Sequence, residues 1–199
     1  MGSRTISCFR GQKSSKVDMD GSSGVYHEKQ VKELCAIHSI NNLLQAKVFE
    51  KKDFDKLSDA LSPNTFLNPH RSILGTGNYD INVIMAALQS QGLDLIWFDK
   101  RKDVKELRLE NINGFILNIP SDYKLGGLIP FNFNRKHWIS VREVGGVYYN
   151  LDSKLGSPER LDSLLNFLGN QVNEKDRELL LVVSKEVQES SSWKTTITS

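Results

Sequence analysis

Apolar residues recur at helical spacing in four places along the chain. Leu34, Ile37, Ile40, Leu43 and Leu44 fall on one face, and Phe54, Leu57 and Leu61 repeat the pattern a few residues on. Asp80 opens a third helix, with Ile81, Ile84, Met85 and Leu88 inward and Gly92 as its stop. Leu161, Leu164, Leu165 and Leu168 predict a fourth, ended by Gly169. Strand-like runs occupy Leu93–Phe98, Phe115–Ile119, Trp138–Val144, Val147–Leu151 and Leu179–Ser184. Helices come first and strands follow, with one helix between the last strands. The clearest strand pair is a hairpin and no βαβα alternation runs through. The expected class is α+β with a mostly antiparallel sheet and flanking helices.

Outside these elements the pattern dissolves. Residues 1–24 are rich in Gly, Ser, Lys and Asp with no periodicity and predict a disordered tail. Residues 188–199 are Ser/Thr-rich around Trp193 and predict a flexible C-terminal tail. One folded domain is expected at 25–187, within a chain of 199 residues. Its 26 Lys and Arg nearly balance 24 Asp and Glu, which excludes nucleic acid or an anionic membrane as the main partner. The longest apolar run, Val83 to Leu88, is six residues, far short of a membrane helix, and the N-terminus has no signal-peptide core. Gly2 is followed by Ile6 where a myristoylation signal needs Ser or Thr. A cytoplasmic or nuclear protein is expected, a monomer, with Cys8 and Cys35 unpaired.

Cys35 stands where a polar, unpatterned stretch meets the first amphipathic helix. A thiol there faces unpaired backbone N–H groups and the positive end of the helix dipole, and both favour the thiolate that attacks carbonyls. Elsewhere a lone cysteine is most often a small core hydrophobe. A thiolate nucleophile also needs a base, and the chain has four histidines. His38 lies one turn along the same helix, with no obvious third group to orient it, so His38→Ala is expected to spare most activity. Cys35-x-x-His38 offers only two metal ligands where a structural zinc needs four. His27 lies on an undefined segment and His70 in a loop. His137 leads into a strand that has a hairpin partner.

The hairpin turns at Gly145-Gly146, a dipeptide suited to the positive φ angles of a type I′ turn. Pairing Val144 with Val147 makes paired positions sum to ~291, which puts Asp152 on the face shared by His137, Ile139 and Val141. His137 and Asp152 are then diagonal neighbours, within reach of two polar side chains. A one-residue change in the turn would send Asp152 to the other face. Together Cys35 as nucleophile, His137 as general base and Asp152 as orienting acid fit nucleophilic catalysis. Gln30, five residues before Cys35, has an amide donor that could complete an oxyanion hole with the Cys35 N–H. Gly75, Gly77 and Asn78 read as a turn and cap rather than a phosphate loop. Trp138 reads as core, and Asn41 and Asn42 as buried polar bridges.

The local text is more specific than this plan. Tyr26-His27-Glu28-Lys29-Gln30, the Glu33–Gln45 stretch, Leu74–Ile84, Trp97–Arg101, Lys136-His137-Trp138 and Tyr148–Leu155 occur in an order that resembles the Josephin domain over about 25–187. The chain is most similar to the short, stand-alone Josephin-like deubiquitinases. The resemblance implies a papain-like cysteine protease fold and hydrolysis at the C-terminal glycine of ubiquitin, with no metal or organic cofactor. It maps the nucleophile to Cys35, the base to His137, the third member to Asp152 (Asn in some relatives) and the oxyanion glutamine to Gln30. The implied partners are ubiquitin, polyubiquitin chains and ubiquitinated proteins. The helical arm of some Josephins is shortened here to Phe49–Phe66. A catalytically weak ubiquitin-binding adaptor is the rival reading, and an amidase or acyltransferase of small substrates a third.

Overall fold

A computed structural model describes residues 24–31, 34–63, 68–70, 78–121 and 136–195. The expected N-terminal tail at 1–24 and the glycines of the 75–77 loop lie outside the described residues, apart from Gly24. Six antiparallel strands form one sheet: β1 (Leu93–Trp97), β2 (Gly114–Pro120), β3 (Lys136–Val144), β4 (Val147–Asn150), β5 (Glu159–Arg160) and β6 (Glu178–Ser184). Their order across the sheet is β1-β6-β2-β3-β4-β5. With flanking helices this is the expected α+β class.

One face of the sheet carries α1 (Cys35–Leu44), α2 (Lys51–Leu61) and α3 (Ile81–Gln89). Their apolar stripes close over Ile116, Trp138, Leu180 and Val182 to form the first core. Phe54 is fully buried there, edge-on to Phe49 and Tyr79 with ring centroids 5.6 and 5.1 Å apart. Helix α2 is the described helix within the expected arm region, and residues 64–66 lie outside the described residues. Asp80 caps α3, its carboxylate accepting from the Asn82 and Val83 N–H groups. Between α1 and the sheet the spacing depends on Gly114. A Cβ there would stand 2.7 Å from Leu43 Cδ1 and 2.8 Å from the Val141 carbonyl oxygen, and that carbonyl belongs to the strand ladder and cannot step aside.

The opposite face packs α4 (Leu164–Asn173), α5 (Lys185–Ser190) and two short 3-10 turns at Val104–Glu106 and Leu109–Asn111. With Phe115, Leu117, Ile139 and Leu181 they form the second core. Two expectations change on this side. Helix α4 does not stop at Gly169 but runs on to Asn173, because Val172 reaches the core one turn later, a gain that offsets the roughly 1 kcal/mol cost of an interior glycine. Residues 188–195 are not a free tail. Helix α5 covers the first of them, Trp193 packs against the second core, and Leu107 bridges Lys194. Arg108 N donates to Trp193 O at 2.9 Å and Thr195 N to Glu106 O at 2.9 Å. One half-buried indole and a short strand-like pairing hold this end down.

The hairpin follows the expected register. Val144 faces Val147 and Val141 faces Asn150, with φ of +61° at Gly145 and +81° at Gly146. Beyond the last pair, Leu151 N donates to Ser140 O at 2.8 Å, so the same register delivers Asp152 to the end of β3.

Candidate active site

Cys35 is the first residue of α1, and the N-cap Leu34 has no side chain able to cap the helix. The sulfur therefore sits at the positive end of the helix, near first-turn N–H groups that α1 itself does not use. It is only 5% exposed, packed into the edge of the first core.

His137 lies near the start of β3, and its ring joins two partners. Nε2 donates to Asp152 Oδ1 at 2.6 Å. The Cys35 side chain is the ring's other ionisable neighbour, close enough to act on its protonation. Burial disfavours the imidazolium, but the Asp152 and Cys35 contacts outweigh it and hold the His137 pKa above the ordinary value. Burial would likewise raise Asp152. The His137 bond and the Lys154 backbone N–H, at 2.9 Å, oppose it and leave this carboxyl below its usual value.

The loops that meet here are fastened to α1 by one buried amide. Asn42 Oδ1 accepts from Glu28 N at 2.5 Å, and its Nδ2 donates to Glu28 O at 3.3 Å and Leu151 O at 3.0 Å. Asn42 thus ties the segment carrying Gln30 and the segment carrying Asp152 to the helix carrying Cys35. The two segments also bind each other directly. Gln30 N donates to Ser153 O at 2.7 Å, and His27 Nε2 to Asp152 O at 3.0 Å. Gln30 is half-buried beside this junction.

A second imidazole–carboxylate pair lies one turn along α1. His38 Nδ1 is 2.6 Å from Glu28 Oε2, and the Val31 backbone N–H donates to His38 Nε2 at 3.3 Å. For Nε2 to accept from Val31, the ring's proton must sit on Nδ1, where Glu28 can take it as a hydrogen bond. The other Glu28 oxygen accepts from Tyr26 OH at 2.5 Å and from Asn41 Nδ2 at 3.0 Å. Burial opposes the Glu28 charge, but the bonds from His38, Tyr26 and Asn41 prevail and lower its pKa. The expectation that His38 lacks an orienting third group is corrected: Glu28 orients it, although the second nitrogen faces a peptide N–H and not a thiol.

The site thus brings together Cys35, His137 and Asp152, with Gln30 anchored at its margin. Asn41 and Asn42 are the expected polar bridges, and Asn41 Oδ1 also accepts from the Val48 and Phe49 N–H groups. Trp138 is core, its indole N–H on Tyr79 O. His70 pairs with Asp80 at 2.8 Å. Sequence reasoning missed the parts played by His27 and Glu28, which sit in an unpatterned segment. The clue available was density: His27, Glu28 and Gln30 crowd into four positions just before the cysteine helix.

An imidazole shared between a thiol and a carboxylate is the working part of thiol hydrolases. The chain belongs to the Josephin family, whose model matches residues 30–183. It is 51% identical to human Josephin-2 over 172 residues, covering 85% of this chain and 91% of that one. It is 47% identical to a Josephin-like protein of Drosophila melanogaster over 167 residues, covering 82% and 75%. Human ataxin-3 is 30% identical over 178 residues, which cover 79% of this chain and 45% of that longer one.

Proposed function

We propose that this protein is a cysteine deubiquitinase that cleaves peptide and isopeptide bonds at the C-terminal glycine of ubiquitin. The observation that carries the reading is the His137 ring, bound by Asp152 at 2.6 Å and lying close enough to Cys35 for that side chain to act on its protonation. Ubiquitin as the substrate rests on membership of the Josephin family. With Nε2 held by Asp152, Nδ1 takes the thiol proton and the Cys35 sulfur attacks the glycine carbonyl carbon. Oxygen takes the electron pair of the C=O bond, and the Gln30 amide with the Cys35 N–H receives that charge. The imidazolium then protonates the leaving amine as the C–N bond breaks, which leaves a thioester. Water, losing a proton to His137, attacks the thioester. The C–S bond breaks, the imidazolium returns its proton to the sulfur, and ubiquitin departs as its acid, which loses its proton to solvent. The reading carries with it a monomer of the cytoplasm or nucleus.

A ubiquitin probe with an electrophilic C-terminus tests this. Cys35 is expected to form the adduct and Cys35→Ala to form none, with turnover of ubiquitin-modified substrates lost in parallel. A folded wild type that stays unlabelled overturns the reading. The 5% exposure of Cys35 favours one alternative, an adaptor with a shielded thiol, which binds ubiquitin without reacting with the probe.

A further inference from the structure

We propose that His38 is a positioning residue for Gln30, acting through the ring that latches the Val31 amide to α1. The proposal rests on the reading of Gln30 as an oxyanion donor. Residues 24–31 have no regular secondary structure, so side chains and borrowed backbone partners must fix their course. The peptide plane before Gln30 carries the Gln30 N–H, held by Ser153 O at 2.7 Å. The plane after it carries the Val31 N–H, held by His38 Nε2 at 3.3 Å. Peptide groups are rigid, so holding the planes on both sides of one residue fixes its φ and ψ and with them the direction of its Cα–Cβ bond. Ser153 holds the first plane from beside Asp152, and His38 holds the second from the helix of Cys35. The ring can accept from Val31 only while its proton stays on Nδ1, and Glu28, braced by Tyr26 and Asn41, keeps it there. Glu28 and Tyr26 from the loop and Asn41 from α1 are the groups around the pair. Its role is to aim a donor, and it moves no proton in the reaction.

Two conservative variants separate the two bonds of the ring. His38→Asn puts an amide where Nδ1 stands and keeps the Glu28 bond but cannot reach Val31. His38→Gln puts an oxygen where Nε2 stands and restores the acceptor for Val31. In His38→Asn, hydrogen exchange of the Val31 amide is expected to accelerate at least ~10-fold. Its kcat should fall about 10-fold, part of the ~10²–10³ lost with a whole oxyanion donor, with KM within about twofold. Alkylation of Cys35 by iodoacetamide should keep its wild-type rate, because the small reagent needs no oxyanion hole. His38→Gln should recover both Val31 protection and kcat. In a Gln30→Ala background, adding His38→Asn should cost less than about twofold. Unchanged Val31 exchange in His38→Asn overturns the latch, and a full ~10-fold loss in the Gln30→Ala background overturns its action through Gln30. Full turnover by Gln30→Ala alone would sink the oxyanion reading and the link to catalysis, while Val31 exchange still decides whether the latch exists.

Discussion

Two histidine–carboxylate pairs contact or neighbour the cysteine helix, and their separations are the same, one through Nε2 and one through Nδ1. His137–Asp152 and His38–Glu28 both close at 2.6 Å, and both carboxyls sit below their usual pKa. They differ in what the second ring nitrogen can meet. Beside His137 lies the Cys35 thiol, which can give up a proton; beside His38 lies a peptide N–H that cannot. A carboxylate behind an imidazole therefore does not by itself identify a catalytic base. The atom on the far side of the ring is the better guide, and in the proposed mechanism it makes one pair chemical and the other architectural.

The largest test of that contrast is His137→Ala. Loss of the proposed general base should lower turnover about 10⁴-fold or more, against the roughly tenfold effect of releasing Val31 from His38. Steady-state kinetics on a fluorogenic ubiquitin substrate would read both, and equal losses would erase the distinction. Asn42→Ala should act on both pairs together. It removes a donor from the Leu151 and Glu28 carbonyls and an acceptor from the Glu28 N–H, and should cost about 2–3 kcal/mol in urea unfolding. A smaller loss than that of any surface alanine would show that the two segments do not depend on α1.

The gentlest change is Asp152→Asn. The Asn oxygen still accepts from Nε2, so kcat should stay within about tenfold of wild type. Its signature lies in stability against pH. The folded-state pKa of His137 is raised, so its contribution is complete below the unfolded value near ~6.5 and fades as pH rises through the raised one. Asp152 and Glu28 are depressed, so theirs are complete above unfolded values near ~4 and fade as pH falls through the lowered ones. Asp152→Asn should therefore shrink the loss on the alkaline side and keep the acid-side share of Glu28. Glu28→Gln should remove that acid-side share and leave the alkaline side alone. Urea midpoints across pH would show whether the pairs separate in this way.

Much of this was legible in the sequence because it follows from counting. Helix α1 shows its apolar stripe in plain spacing, and a Gly-Gly turn with strict alternation fixes the hairpin register that carries Asp152 toward His137. What was not legible came from contacts between unpatterned segments. Glu28 lies ten residues from His38 on a loop without period, so no spacing rule says where its carboxylate points. Strand β5 is two exposed charged residues, held by pairing with β4 and not by burial. Helix α5 is six residues with Val187 as its one large apolar side chain, and only docking against the second core stabilises so short a helix. Gly169 is a fair stop signal on local grounds, overridden by the core beyond it.

Gly114 carries a consequence for chemistry it never touches. It sets the gauge between the far end of α1 and the strand beside His137, while the sulfur rides on the near end of the same rod. A single methyl group at that position would pry the rod from its bed, and the tilt would be felt as a widened gap between sulfur and ring. Alanine at 114 would thus throttle the reaction from a distance, with every reacting atom still in the sequence.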